Sequence, residues 1–568
     1  MHIDVVPNRG SRPAYLLRES FRDGRRVRKR TLANLSSLPD DQIDAIRRVL
    51  RGERLAAATE LFEVTASRIH GETHAVLTAM KRLRVRELLS SRSSWEAEVV
   101  MGMVAARVVA PHTKLATTRW WHTRTLPEDL RIEHATDDDL YQAMDWLLDR
   151  QGSIEKKLAA RHLKTGGLAL YDLTSSYFEG KTCPLAKIGH NRDGKKNKLQ
   201  VNYGLLTDRR GCPVAVSIYE GNTNDAKTLM PQVAKLRNDF GLERVVLVGD
   251  RGMIGQAAVE DLRDVAGLEW ITALKSSQIR ALVEGGALQL GLFDKRNLFE
   301  IEHPDYPGER LVACRNAELG KLRAHKRQAL LEATAKELEK VRAMVERGDL
   351  RGAGKIGVRA GRVVNKYKVA KHFELTIDDA RFDFALRNEA VAAEAALDGI
   401  YVIRTSLSKH EMSAPEAVRS YKALSEVERA FRTLKTMDLE VRPIHHRLAD
   451  RVRAHIFLCM LAYYVEWHMR EAWRPLLFAD EDLEAKTNRD PVAPAKRSDA
   501  AEEKAVTKTL QDGTPAHSFR TAMEELSTIV RNTCRAPGAP NGTPTFTVVT
   551  TPTAAQQRAM DLLEKIAP

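Results

Sequence analysis

The spacing of apolar residues changes at Gly166, and the order of elements after that point restricts the fold more than any other feature of the chain. Before Gly166, apolar residues recur every three or four positions, which is typical of amphipathic helices. After it, GLALYDLTSSYF, LQVNYGLLTD and CPVAVSIYEG predict three consecutive strands. A predicted helix, the strand ERVVLVGDRG, a second helix and the strand LEWITAL follow. This succession predicts an α/β fold with a mixed sheet.

Length and charge limit the class of protein. The chain has 568 residues, which is enough for about two to four domains. Lys and Arg number 90 against 76 Asp and Glu, for a net charge of +14. This excess favours a polyanionic partner such as nucleic acid. An apolar content of 43 % excludes wholesale disorder.

Cysteine usage and apolar runs predict the cellular environment. Five cysteines are scattered without a CxxC pair, which argues against a disulfide framework and against a cysteine-based zinc site. The first residues, MHIDVVPNRGSRPAY, lack the apolar segment of a secretory signal. The longest apolar run, Ile456 to Val465, is about half of a bilayer span. We therefore expect a soluble intracellular protein without a membrane partner, in which this run is a buried helix.

Two basic segments are candidates for DNA contact. The first 36 residues carry nine Lys or Arg against three Asp or Glu, and an Asp23-Gly24 turn predicts a hairpin whose tip holds Arg25, Arg26 and Arg28. The second segment, Gly189 to Gln200, carries cations at four positions: Arg192, Lys195, Lys196 and Lys198. Each segment is interpreted either as a phosphate-binding element or as a solvated surface turn.

Two further patterns are interpreted as packing. Trp120 and Trp121 lie among cations and could stack on bases, but tryptophans in a helical region are more often core, and we favour core. Lys321 to Arg347 predicts a long charged helix with an apolar stripe. That stripe fits a short coiled coil or, as we prefer, a helix packed on its own domain.

Two carboxylates follow apolar strands. Asp172 ends the apolar run ALYD, and Asp250 directly follows VVLVG. Carboxylates at the carboxyl ends of buried strands lie where α/β sheets bind ligands. Asp is also a common turn residue after a strand, so each one alone is weak evidence. Two on strands that can be neighbours predict a shared site.

A third carboxylate lies on a predicted helix, Ser420 to Lys435. Tyr421, Glu428 and Lys435 are seven residues apart and are expected on one helix face, with Arg432 one turn after Glu428. Taken alone, Glu428 and Arg432 would be interpreted as a surface salt bridge. Leu424, Val427, Phe431 and Leu434 form the neighbouring apolar stripe that packs inward.

Asp172, Asp250 and Glu428 together predict a catalytic metal site. Three converging carboxylates can hold two divalent cations about 4 Å apart, which activate a water or a 3′-hydroxyl for attack on a phosphodiester. Mg²⁺ prefers such hard oxygen ligands. Tyr421, Arg432 and Lys435 would then line the DNA backbone beside the ions.

These residues resemble a known family. The blocks YDLTSSYFEG and VVLVGDRGM, together with the Tyr421, Glu428 and Lys435 spacing, are similar to bacterial insertion-sequence transposases of the DDE type. Within the IS4-like superfamily, the chain is closest to the IS1634 branch. The superfamily pattern places an Arg where this chain has Leu424, so a phosphate contact there would come from Lys422 or Arg432. The blocks GHNRDGKKNKLQVNYGLLTD, EGNTNDAKTL and RPIHHRLADRVRAHIFLCMLAYYVEWHMR extend the resemblance over most of 165–475.

The resemblance implies a ribonuclease H-like catalytic domain with helices on both faces of its sheet, interrupted by an insertion, and a mainly helical N-terminal region preceded by a basic β-hairpin. The boundaries that we predict are a hairpin at 1–36, a helical DNA-end-binding region at 37–163, the two catalytic parts at 164–279 and 398–475, an insertion subdomain with a long helix at 280–397, and a partly flexible tail at 476–568.

The resemblance also implies an activity and its partners. Family members cut DNA at the ends of their element and join the freed 3′-hydroxyls to target DNA. We expect two Mg²⁺ ions, with Mn²⁺ as a substitute, double-stranded DNA as terminal repeats and target, a synaptic homodimer, and a bacterial cytoplasmic location at the nucleoid. Two alternatives stay open: a two-metal nuclease without strand transfer, and a DNA-binding repressor that has lost catalysis.

Overall fold

The computed structural model describes residues 1–53, 61–195, 197–540 and 542–567. The elements before residue 163 are β1 (His2–Asn8), β2 (Ser11–Asp23), β3 (Arg26–Asn34), α1 (Asp40–Leu50), β4 (Glu63–Ile69), α2 (Gly71–Arg82), α3 (Val85–Leu89), α4 (Trp95–Val109), α5 (Lys114–Trp121), α6 (Leu126–Leu130), α7 (Asp137–Leu148) and α8 (Gln151–His162).

The elements that follow, up to the first residues of the insertion, are β5 (Leu168–Tyr177), β6 (Gln200–Thr207), β7 (Pro213–Glu220), α9 (Leu229–Ala234), β8 (Val245–Gly249), α10 (Gln256–Arg263), β9 (Leu268–Ala273) and α11 (Ser276–Glu284). A 3₁₀ turn at Asp225–Thr228 and a π turn at Lys235–Asp239 flank α9.

The insertion and the second catalytic part contain β10 (Leu298–Ile301), β11 (Arg310–Arg315), α12 (Ala317–Glu346), α13 (Ala353–Lys366), β12 (Phe373–Ile377), β13 (Phe382–Leu386), α14 (Asn388–Ala395), β14 (Ile400–Thr405), α15 (Ala414–Lys422), α16 (Leu424–Arg432) and α17 (Ala449–Ala472). The tail adds α18 (Leu483–Asn488), α19 (Asp499–Thr507), α20 (Phe519–Leu526), β15 (Val530–Arg535), β16 (Phe546–Val549) and α21 (Ala554–Glu564).

The chain divides into two compact units. Residues 1–68 and 530–551 form the first unit, and the rest of the chain forms the second. The first unit holds the antiparallel sheet β1-β2-β3 and a second sheet of order β16-β15-β4. This division differs from the predicted boundaries, because part of the tail returns as strands beside β4. A strand within 37–163 and strands within the tail were not expected from the helical spacing of those segments.

The predicted mixed α/β sheet is confirmed in the second unit. Its eight strands have the order β10-β11-β14-β9-β8-β5-β6-β7. The strands β5, β6 and β7 form an antiparallel meander. On the other side of β5, β8 is parallel to β5 and β9 is parallel to β8, whereas β14 is antiparallel to β9. The strands β5 to β9 thus form the expected ribonuclease H-like order, and the insertion lies between β9 and β14.

The insertion divides its residues between two cores. Its strands β10 and β11 extend the main sheet beyond β14. Its helices α12 and α13 pack on each other and, with the β12-β13 hairpin, enclose a separate apolar cluster. The predicted stripe of α12, from Leu331 to Val345, is buried in this cluster. The helix therefore packs within its own subdomain, as preferred above.

The helix α17 lies at the centre of the second unit. It packs against α2, α4, α7 and β7. The whole run Ile456 to Val465 is buried, which confirms the prediction from its composition. Trp121 is also buried and Trp120 nearly so, so both belong to the core. Among the described residues, no helix combines the length and apolar content that crossing a bilayer requires.

A buried ion pair ties the insertion to the sheet. The side chain of Glu309, immediately before β11, is fully buried. It accepts hydrogen bonds from Arg404 of β14 at 2.6 Å to each oxygen and from Arg263 of α10 at 2.6 Å. Because the carboxylate has cationic donors on both oxygens, its burial does not leave an unpaired charge.

We expect Glu309→Gln to lower the stability of the folded chain by about 3–5 kcal/mol, because it leaves the Arg404 guanidinium buried without a counter-charge. The measurement is the midpoint of chemical denaturation, followed by circular dichroism. The matched control is Glu179→Gln, which removes an exposed partner of Lys198 at 3.1 Å and should cost less than about 1 kcal/mol. Equal shifts in both variants would contradict the assignment.

Candidate active site

The register between β5 and β8 aligns two carboxylates. The two strands are parallel, and Tyr171 of β5 lies opposite Gly249 of β8. Asp172 and Asp250 are the next residue on each strand. Neighbouring strands lie about 4.8 Å apart, so these carboxylates start from adjacent backbone positions. We expected Asp172 at the end of its strand. It lies within β5 instead, because β6 continues to pair with β5 as far as Tyr177.

Asp250 is exposed and held by two donors. The backbone N–H of Gly252 donates to one carboxylate oxygen at 3.3 Å, and the hydroxyl of Tyr421 donates to the other at 3.3 Å. Tyr421 lies at the end of α15 and is half-buried. Burial and the charge of Asp250 raise the pKa of Tyr421 above its ordinary value, so the hydroxyl keeps its proton and stays a donor.

Glu428 is brought to the same region by α16, which packs against β5. The predicted inward stripe is buried at every position: Leu424, Val427, Phe431 and Leu434. The ring of Phe431 contacts that of Tyr203 on β6 at a centroid distance of 5.9 Å. Because this face is covered by the sheet, Glu428 lies on the exposed side of α16.

The pKa of Asp172 is affected by the charges of the other two acids. The pKa of Asp172 is raised to about 7, first by burial and then by the negative charges of Asp250 and Glu428. The N–H of Leu173, which donates to Asp172 at 2.8 Å, and the charge of Arg192 act in the opposite direction. A carboxylate in this position is ionised at neutral pH only at a cost, which a bound cation would offset.

The donor set of the three acids fits divalent magnesium. All the ligands are carboxylate oxygens, and Asp250 and Glu428 are open to solvent, so water can complete the coordination of a hard ion. Within the described ranges, the three carboxylates do not form a close cluster of three ligands, which is found instead for a His and Cys group elsewhere. The acidic trio is therefore more open than a site for one ion with three protein ligands.

The loop between β5 and β6 is fixed beside these acids through Asp193. The side chain of Asp193 is only 2 % exposed. It accepts a hydrogen bond from the backbone N–H of Tyr177 at 2.9 Å, forms an ion pair with Lys435 at 3.0 Å and forms a second one with Arg442. The loop thereby joins the end of β5 to the segment after α16.

Arg192 of this loop is close enough to Asp172 for its charge to lower the pKa of that carboxyl. One nitrogen of its guanidinium donates to both oxygens of Asp225 at 2.6 Å, and another is buried without a hydrogen-bond partner within the described structure. The close approach of the loop requires glycine at two positions. A Cβ on Gly189 would lie 1.9 Å from the carbonyl oxygen of Gly221, and one on Gly221 would lie 2.0 Å from that of Gln200.

The segment around Glu428 differs from the single helix that we expected. A turn at Ala423, before Glu428, separates α15 from α16, and a π turn at Thr433–Met437 follows α16. The wider turn shifts the side-chain register, so Lys435 is buried against Asp193 instead of sharing the exposed face of Glu428. Burial lowers the pKa of Lys435. Arg432 is exposed, as expected.

The remaining predicted DNA contacts have different environments. Lys195 is exposed, with its ammonium 5.9 Å from the ring centroid of Tyr177. Lys196 lies outside the described residues. In the first unit, Arg25, Arg26 and Arg28 are exposed at the tip of the β2-β3 hairpin, and Arg28 pairs with Asp23 at 3.0 Å.

Three residues of this region were missed as site residues by sequence reasoning. Asp193 and Arg442 belong to the buried ion cluster with Lys435, and Asp225 pairs with Arg192. Asn224 is the residue that caps the 3₁₀ turn, by accepting from the N–H of Ala226. An acid inside a run of cations, as in NRDGKK, is the signal that could have identified Asp193.

Comparisons with known proteins give two family matches. The profile of the family described as "Transposase DDE domain" matches residues 170–465, just over half of the chain. The profile described as "IS1634 family transposase, N-terminal domain" matches residues 3–63. No curated protein matches the chain. Among solved structures, it is similar to a piggyBac transposase in a synaptic complex with hairpin DNA, with 9 % identity and a TM-score of 0.34 over 87 % of this chain and 83 % of that chain.

In chelator-treated protein, we expect Asp172→Asn to increase stability, and more so at pH 8 than at pH 4.5. The pKa of Asp172 is about 7 in the folded chain, against an ordinary value of 3.8. Between pH 3.8 and about 7, Asp172 is therefore protonated in the folded chain and ionised in the unfolded chain. The free energy of unfolding of the parent falls as pH rises through this range. The gain from Asn should approach about 2–4 kcal/mol above pH 7.

Denaturation midpoints at several pH values measure this effect. The matched control is Asp261→Asn on α10, which removes an exposed carboxylate and should show no comparable pH dependence. An equal gain from Asp172→Asn at pH 4.5 and pH 8 would show that Asp172 does not titrate near neutrality.

Proposed function

The chain belongs to the transposase DDE-domain family and carries the IS1634-family N-terminal domain, and we propose that it cuts DNA at the ends of an insertion sequence and joins the freed 3′-hydroxyls to target DNA. The observation that carries this proposal is the alignment of Asp172 with Asp250 on neighbouring parallel strands, with Glu428 close enough to raise the pKa of Asp172.

In this proposal, Asp172, Asp250 and Glu428 hold two Mg²⁺ ions, for which Mn²⁺ can substitute. When bound, the ions activate the attacking hydroxyl and stabilise the leaving oxygen of the phosphodiester. Tyr421 orients Asp250 through its hydrogen bond of 3.3 Å. Cleavage and strand transfer use the same acids, because the two steps differ only in whether water or a DNA 3′-hydroxyl attacks.

The basic residues around the acids are proposed to position the DNA backbone. Arg192 is held by Asp225 at 2.6 Å, and its charge acts on Asp172, so we propose that it adds positive charge beside the phosphate that is attacked. Arg432 and Lys195 are exposed and add positive charge. Lys435 is paired with Asp193, so we propose that it fixes the loop that carries Arg192 and reaches phosphate only if that pair opens.

The N-terminal hairpin is proposed as a second DNA contact. Every residue of β3 is exposed, so this ribbon presents its cations from both faces. Lys29 and Arg30 are paired with Asp4 and Glu19, whereas Arg25 and Arg26 form no ion pair within the described residues. A synaptic dimer, in which two chains each hold one end of the element, is part of the same proposal.

We expect Asp172→Asn, Asp250→Asn and Glu428→Gln each to lower the rate of DNA cleavage by at least about a thousandfold, because each removes a ligand of the ions that stabilise the transition state. The substrate is DNA that carries the inverted repeats flanking the coding sequence, incubated with Mg²⁺. Asp261→Asn on α10 is the matched acid-to-amide control and should cleave like the parent. A cleaving Asp172→Asn variant would contradict the assignment.

The same assay distinguishes the two alternatives. Pre-cleaved ends with free 3′-hydroxyls are supplied with a supercoiled plasmid, and joined products are measured. Cleavage without joining would identify a nuclease, and binding without either reaction would identify a repressor.

We expect Arg25, Arg26 and Arg28 together to contribute to DNA affinity through phosphate contacts. Replacing all three with Ala should lower affinity and reduce the slope of log K against log salt concentration by up to about 3, since each phosphate contact contributes about 0.9. Fluorescence anisotropy at several salt concentrations measures the slope. The control removes the same charge from α12 and its end (Lys340, Arg342 and Arg347 to Ala). Equal losses in both variants would indicate a general charge effect.

A further inference from the structure

A cluster of three metal-ligating side chains lies outside the acidic trio. His162 ends α8, Cys212 immediately precedes β7, and His468 lies in α17. Their ligand atoms all lie within 4.8 Å of one another. Cys212 Sγ is 3.7 Å from His468 Nε2. We infer that His162, Cys212 and His468 form a binding site for one zinc ion, separate from the catalytic acids.

The distances suit zinc. Zinc binds Cys sulfur at about 2.3 Å and His nitrogen at about 2.0–2.1 Å, so two such ligands of a tetrahedral ion lie about 3.6 Å apart. The observed 3.7 Å between Cys212 and His468 is close to this value. The widest separation, up to 4.8 Å, closes with a movement of about 1 Å. The absence of CxxC pairs argued against a cysteine-based zinc site, whereas this site uses one cysteine and two histidines from distant segments.

The surroundings provide the orientation that a metal-bound histidine needs. Such a histidine usually forms a hydrogen bond with its other ring nitrogen. The hydroxyl of Tyr464 lies 3.1 Å from His162 Nε2 and can serve this purpose. Two cations act on these histidines. Arg210 is engaged by Asp208 at 2.9 Å and lies over the ring of Trp467, and Arg161 donates to the carbonyl oxygen of Leu83 at 2.7 Å.

The position indicates a structural role. The strand β7, which Cys212 precedes, lies two strands away from β5, and this is about 10 Å across the sheet from the strand that carries Asp172. A zinc ion here would cross-link the last helix before the sheet, the edge strand and the central helix α17. His162 is also only a few residues before β5, so the ion would fix the point at which the chain enters the catalytic sheet.

The nature of the donors favours zinc over the catalytic ions. A thiolate and two imidazoles are borderline-soft ligands, which Mg²⁺ avoids and Zn²⁺ accepts. Cobalt in place of zinc makes the site visible, because a Co²⁺–thiolate bond gives a charge-transfer absorption that carboxylate ligands cannot give. The acidic trio contains no sulfur, so this signal reports on the proposed site even if the proposed catalytic function is wrong.

The experiment adds Co²⁺ to the full-length chain after chelator treatment under reducing conditions. We expect a thiolate charge-transfer band that saturates at one equivalent and disappears when Zn²⁺ is added. The band should be lost in Cys212→Ser and strongly reduced in His162→Gln. It should be unchanged in Cys314→Ser and in Cys459→Ser, the latter being a matched control because Cys459 also has a histidine nitrogen, that of His455, at 4.0 Å.

Thermal unfolding provides a second readout. The melting temperature of the parent should rise with Zn²⁺ concentration, because an ion that binds only the folded chain stabilises it. His162 lies at a half-buried helix end, so His162→Gln removes a ligand of the site without creating a cavity in the core. No thiolate band in the parent, or a band that persists in Cys212→Ser, would overturn the inference.

Discussion

The parallel pairing of β5 with β8 is the constraint on which the candidate site depends. It sets Tyr171 opposite Gly249, so the two residues that follow, Asp172 and Asp250, start from neighbouring positions. On β5 the antiparallel partner β6 continues past this point and keeps Asp172 half-buried, whereas the chain leaves the sheet after β8 and exposes Asp250. Two chemically identical side chains therefore have different surroundings, and burial raises the pKa of Asp172 to about 7.

The third acid depends on packing that is independent of the sheet's hydrogen bonds. The apolar face of α16 is covered by β5 and β6, and this leaves Glu428 on the open side. The long helix α17 then fills the core behind the sheet and against the N-terminal helices. The insertion between β9 and β14 does not disturb this arrangement, because α12 and α13 have their own apolar core and only β10 and β11 join the sheet.

Charge pairing connects the blocks that carry the chemistry. Asp193 joins the loop after β5 to Lys435 and Arg442, and Asp225 holds Arg192 near Asp172. These contacts use cations that sequence reasoning assigned to DNA. In a family that acts on a polyanion, some cations near the acids thus have a structural partner, and the exposed ones, such as Arg432, are the better candidates for phosphate.

The sequence by itself determined the mixed sheet, the buried helix at Ile456 to Val465 and the inward stripe of α16, because each depends on a local period. It also predicted the three acids as a candidate site, from residue types at the ends of apolar runs and from the family resemblance. The tertiary structure alone decided that Lys435 turns inward, since a π turn inserts one extra residue into the register after Arg432. It also decided that strands of the tail pair with β4, and that His162, Cys212 and His468 meet. These contacts join segments hundreds of residues apart, and local periodicity carries no information about which distant segment covers which face.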